Sequence, residues 1–110
     1  MEQNEGQQPA VVLKDTEIRG DVSLRGWLRL FGSVSGNVRS GGRVEVMAGA
    51  VVEGTVECRE LYVEGEIGGD ARAEVMEIGE GGVVRGEAAT ALLRMRGRRY
   101  GLKRVRLTGK

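Results

Sequence analysis

Residues Val51–Ala71, VVEGTVECRELYVEGEIGGDA, place an apolar side chain at nearly every second position and interrupt the alternation with glycine at 54, 65, 68 and 69. A two-residue period is the mark of a strand with one buried face, yet glycine weakens a strand interior unless the chain bends or another backbone comes close. The same phrase, apolar-any-Gly-any-apolar, recurs as IRGDV (18–22), VSGNV (34–38), VEGTV (52–56), IGGDA (67–71) and VRGEA (84–88). Its central glycines, Gly20, Gly36, Gly54, Gly69 and Gly86, are 16, 18, 15 and 17 residues apart. A second phrase, apolar-any-apolar, keeps the same step as LRL (28–30), VEV (44–46), LYV (61–63), MEI (76–78) and LRM (93–95).

A hairpin sandwich has no reason to repeat one phrase every 15 to 18 residues. A parallel β-helix does, because each repeat becomes one rung and equivalent residues stack at the ~4.8 Å strand spacing. The expected interior columns are Leu28, Val44, Leu61, Met76, Leu93; Leu30, Val46, Val63, Ile78, Met95; Ile18, Val34, Val52, Ile67, Val84; and Val22, Val38, Val56, Ala71, Ala88. The glycines mark corners, where the chain bends or approaches its neighbour. Rung length varies because the link between arms is long in VMAGAVV (46–52) and IGEGGVV (78–84) but short in LFGSV (30–34) and VEGEI (63–67).

Composition agrees. One Trp, two Tyr and one Phe in 110 residues are too few for an ordinary core, but aliphatic columns need none, and nineteen glycines argue against long helices. With no histidine the chain lacks the commonest general base and the commonest metal ligand, and its many carboxylates form no recognisable catalytic pair. The glycine-rich pieces lack both the Gly-Lys-Ser/Thr signature and a following helix, so they are not phosphate loops. The expectation is therefore no enzyme, no cofactor, no metal and no small-molecule substrate. No apolar run approaches 18 residues and no signal-peptide pattern is visible, so the chain reads as cytoplasmic.

These residues resemble the bactofilin family of bacterial cytoskeletal proteins over about residues 10–100, most specifically in IRGDVS, GSVSGNVRSGGRVEV and AVVEGTVE. The resemblance implies an all-β, right-handed parallel β-helix of about six short triangular rungs that polymerises end to end, head-to-head and without nucleotide, as a scaffold. It also implies an aromatic in the last rung, which GRRY (97–100) supplies as Tyr100. On this reading residues 1–9 are a disordered polar tail, 10–100 the β-helix and 101–110 a basic tail.

Without polar caps, the terminal rungs expose unpaired backbone and an open apolar column to another copy of the chain. The expected polymer contacts are Val12, Ile18 and Val22 at the N-terminal end and Leu93, Met95 and Tyr100 at the C-terminal end. ALLRM (91–95) reads either as the last rung or as a short capping helix.

Charge is divided. Residues 1–93 hold 9 basic and 16 acidic side chains, a net −7, whereas residues 94–110 hold 8 basic and none acidic, a net +8. The tail is read either as a solvated end or as a polyanion contact through Arg98, Arg99, Lys103, Arg104, Arg106 and Lys110. Its candidate partners are an anionic membrane, nucleic acid and other scaffolded proteins, and an adaptor working through the tail is the alternative to a polymer. Trp27, Phe31 and Met47 gather outside neighbouring rungs, either as corner packing or as a lateral or membrane-facing patch. Cys58, aligned with Leu24, Ser40, Ala73 and Thr90, is a small interior filler. The outward column Arg29, Glu45, Tyr62, Glu77, Arg94 sets opposite charges on adjacent rungs.

Overall fold

The computed structural model describes residues 8–109, and among them there are fourteen strands and no helix. Every pairing is parallel, and the strands divide among three faces of a solenoid of about six turns. The first face stacks β1 (Ala10–Val12), β4 (Leu28–Leu30), β7 (Arg43–Val46), β10 (Glu60–Val63), the second half of β12 (Ala71–Ile78) and the end of β13 (Val83–Met95). The second face stacks β2 (Glu17–Ile18), β5 (Ser33–Val34), β8 (Val51–Val52), β11 (Glu66–Ile67), the start of β13 and the start of β14 (Gly101–Leu107). The third holds β3 (Val22–Leu24), β6 (Val38–Ser40), β9 (Val56–Glu57), the start of β12, the middle of β13 and the end of β14.

All four expected columns stand in register. Leu28 pairs with Val44, Val44 with Leu61, Leu61 with Met76 and Met76 with Leu93. Val34, Val52, Ile67 and Val84 line the second face, and Val38, Val56, Ala71 and Ala88 the third, all of them buried. The small side chains Ala71 and Ala88 replace valine where the third face nears the end of the chain. Cys58 lies inside as expected, its thiol donating to the Glu60 carbonyl at 3.2 Å.

The repeated glycine answers chiefly to close approach. A Cβ at Gly69 would stand 2.8 Å from the backbone of Gly54 in the rung before, and within the glycine column only Gly20 has a positive φ (114°). Left-handed glycines occur instead in the long links, at Gly49 (φ 87°) and Gly81 (φ 82°). The polar residue after each column glycine closes the corner: Asn37 N–H donates to Asp21 Oδ1 (2.9 Å), Thr55 N–H to Asn37 Oδ1 (2.8 Å), Asp70 N–H to Thr55 Oγ1 (3.4 Å) and Glu87 N–H to Asp70 Oδ1 (2.9 Å).

Two expectations need correction. Residues 101–107 are not a disordered tail but the strand β14, paired with β13 along its length, and they complete the sixth rung. The reason is visible in GLKRVRL: Leu102, Val105 and Leu107 continue the inward positions of Val84, Ala88 and Thr90, with one residue deleted at the corner, where the register shifts. That deletion removes the glycine phrase, so the sixth repeat does not resemble the other five. Second, Glu77 takes its ion pair from Arg96 (3.0 Å), not from Arg94 beside it in the ladder. The segment ALLRM belongs to β13, which settles the choice between rung and helix in favour of the rung. The proposed disorder of residues 1–7 and the role of Lys110 lie outside the described residues.

Candidate functional site: the two ends of the solenoid

Interior rungs satisfy their backbone on both sides, but β1, β2 and β3 have pairing partners on one side only, as does β14. Apolar exposure follows the same division. The large hydrophobic side chains exposed among the described residues are Val11, Leu13, Leu92, Met95, Tyr100, Val105 and Leu107, and all of them belong to the first or the last rung. Leu13 is 66% exposed at one end and Leu107 64% at the other. Exposed, unpaired strand edges beside an open core template pairing with another chain.

Of the residues expected at the N-terminal contact, Val12 is nearly buried under Leu30, while Ile18 and Val22 are half-buried and pack on the core. At the other end Leu93 is half-buried, and Met95 and Tyr100 (50%) are exposed. Sequence reasoning missed Val11, Leu13, Leu92, Val105 and Leu107. The alternation Val105-Arg106-Leu107 was the available signal for the last two.

Trp27, Phe31 and Met47 are each half-buried, and none is among the large exposed hydrophobics. The Arg29 guanidinium lies over the Trp27 ring, 5.3 Å from its centroid. Arg29 also reaches Glu45 (2.6 Å), which a second cation, Arg43, contacts at 2.8 Å. Burial by itself would raise the Glu45 carboxyl, but hydrogen bonds from Arg43 and Arg29 outweigh it and hold the group below the usual carboxylate range. The shallow groove on this face, about 510 Å³, is lined by these groups with Glu77 and Arg96, which pair with each other. Charges so matched join neighbouring rungs across this face.

No cluster of potential metal ligands occurs among the described residues. Burial pushes the Cys58 thiol up to about 12, which disfavours the nucleophilic thiolate. Among the described residues no helix is long and apolar enough to cross a membrane. The cations of the expected tail sit on structured backbone: Arg98 N–H donates to Glu80 Oε1 (2.8 Å) and the Arg99 carbonyl accepts from Gly81 N–H (2.6 Å).

Searches of curated proteins and of solved structures find no match. A family model described as "Bactofilin: Polymer-forming cytoskeletal" matches residues 10–99, most of the chain and nearly all of the solenoid. The parallel β-solenoid with open ends is thus that of a structural, polymer-forming cytoskeletal family rather than an enzyme family, and the chain belongs to the bactofilins.

Proposed function

We propose that this bactofilin is the subunit of a homopolymer that grows end to end through its first and last rungs, without nucleotide, and serves as a scaffold inside a bacterial cell. The observation that carries this reading is the confinement of large exposed apolar side chains to the two ends of the solenoid. Val12, Ile18 and Val22 support the contact at one end and Leu93, Met95 and Tyr100 at the other, with Val11, Leu13, Leu92, Val105 and Leu107 added to the surfaces they form. Stacking another copy on either end would pair the free strand edges and cover these side chains, each worth roughly 1.5–3 kcal/mol when fully removed from water. The half-buried set Trp27, Phe31 and Met47 serves corner packing, given the guanidinium over Trp27.

Negative-stain microscopy of the full-length protein tests the reading. Thin unbranched filaments forming without added nucleotide are expected, and Tyr100→Arg should abolish them while circular dichroism stays that of the folded protein. Monodisperse monomers of the unaltered protein at all concentrations would overturn it.

A further inference from the structure

Through the body of the solenoid, Arg72 apart, cations are matched to carboxylates one rung away: Arg29 to Glu45, Arg39 to Glu57 (3.4 Å), Arg43 to Glu60 (3.4 Å) and Arg59 to Glu74 (3.6 Å). The sixth rung breaks this pattern. From Arg94 to Arg106 it carries seven cations and no carboxylate, and it has a neighbouring rung on one side only. The fifth rung takes up two of the seven, Glu77 pairing with Arg96 (3.0 Å) and Glu87 with Arg106 (3.3 Å). Arg94, Arg98, Arg99, Lys103 and Arg104 have no ion pair among the described residues, and all are exposed. The first rung differs, because Lys14, Arg19 and Arg25 are balanced there by Asp15, Glu17 and Asp21.

The backbone that carries these cations is held in place. The link bearing Arg98 and Arg99 is bonded to the link below through Glu80 and Gly81, and Gly97 lies so close to Glu80 that no side chain would fit between them. Lys103 and Arg104 lie within β14.

We propose that the sixth rung is an anion-binding end whose ligand is a soluble, multivalent oxyanion of the phosphate type, and that its occupancy controls whether this end closes against another copy. The second part rests on the end-to-end reading above. Four of the five unmatched cations are arginines, whose planar fork fits an oxyanion with two hydrogen bonds. Arg94 projects from the first face, Arg98 and Arg99 from the following link, and Lys103 and Arg104 from the corner between the second and third faces. No flat surface lying along the solenoid meets them all, whereas separate small multivalent anions can each take the cations of one face or link. Tyr100 is the one aromatic among them, which gives nucleobases nothing to stack between. Where like ends meet, the unoccupied rung repels the second cationic end at low salt, where the Debye length is ~30 Å at 0.01 M, and a bound polyvalent anion removes that repulsion locally.

The test is titration calorimetry with inorganic tripolyphosphate, together with sedimentation, at about 20 mM salt, where screening is weak. The unaltered protein is compared with Arg98→Gln/Arg99→Gln/Arg104→Gln, whose altered side chains are exposed and unpaired and so leave the fold intact. Expected is binding that weakens roughly tenfold or more in the variant and falls steeply towards about 200 mM salt. Tripolyphosphate should also raise the sedimenting fraction of the unaltered protein by about twofold or more at low salt, where repulsion is strongest, and leave that of the variant unchanged. Undetectable binding, or equal binding by both proteins, overturns the site; a second neutralised pair, Arg94→Gln/Lys103→Gln, guards against misfolding of the first variant. Variant-sensitive tripolyphosphate binding by a protein that never sediments supports the site and overturns the end-to-end reading alone.

Discussion

Asn37 Oδ1 accepts the backbone N–H of Thr55 at 2.8 Å, and one rung earlier Asp21 Oδ1 accepts the N–H of Asn37 at 2.9 Å. Asn37 is thus donor below and acceptor above, a rung in a ladder that joins successive corners of the solenoid. A side chain without an oxygen frees the Thr55 N–H at a corner that water reaches only in part. Asn37→Ala should cost about 1 kcal/mol, and Asn37→Asp, which keeps the acceptor, should cost less. Thermal unfolding of the two variants checks the order; equal melting temperatures would show that the ladder adds nothing.

Deleting residues 101–110 should destabilise the protein, because β14 is part of the solenoid rather than a tail. Val84, Ala88 and Thr90 are fully buried, and β14 pairs with them through Leu102, Val105 and Leu107. Uncovering two apolar columns and an entire strand ladder costs several kcal/mol at ~25 cal/mol per Å² of apolar surface. Leu107→Asp alters only a side chain already 64% exposed and should melt near the unaltered protein. A truncated protein with undiminished stability would place the last rung at Met95.

The Cys58 thiol, pushed up to about 12 chiefly by burial, should resist a thiol reagent in the native protein at pH 8 and react at once in denaturant. The linkage has a definite sign. The folded value lies above that of the unfolded chain, so the stability held by the neutral thiol is full below about pH 8.5 and declines as pH rises towards 12. Cys58→Ser places a hydroxyl of similar size in the same column as Ser40 and Thr90 and should remove that part of the alkaline decline. A native-state reaction rate equal to the denatured one would show that this face opens freely.

The interior of the fold was legible because a solenoid writes each contact between rungs as a sequence period. Leu61 and Met76 face each other in space for the same reason that they share a place in the repeat. What was not legible lay where the period fails. The sixth rung drops one residue and its glycine, so LKRVRL carries the right alternation without the phrase that identifies it, and its charge looks like that of a solvated tail. Side-chain choice also escapes backbone register: Arg94 stands beside Glu77 in the ladder, yet Arg96, two residues on, has the reach to pair with it. The end contacts were legible in kind but incomplete in membership, since Leu13 occupies a link and Leu107 the unrecognised strand.

Charging one end at a time should reveal how the subunits join. Leu13→Asp alters the first rung and Leu107→Asp the last, both at exposed positions where the fold is not at stake. If like ends meet, each contact is twofold and carries the substitution twice, setting two carboxylates against each other or against apolar surface. Each single variant then stops at a dimer through its unaltered end, and the double variant is a monomer. If unlike ends meet, every junction contains one altered surface, so both single variants are monomers. An equal mixture of the two then restores one intact junction, between the last rung of the Leu13→Asp chain and the first rung of the Leu107→Asp chain, and forms a heterodimer that grows no further. Light scattering after size exclusion separates the cases by mass. Long polymers from both single variants would exclude the ends as the contact and turn attention to the side faces.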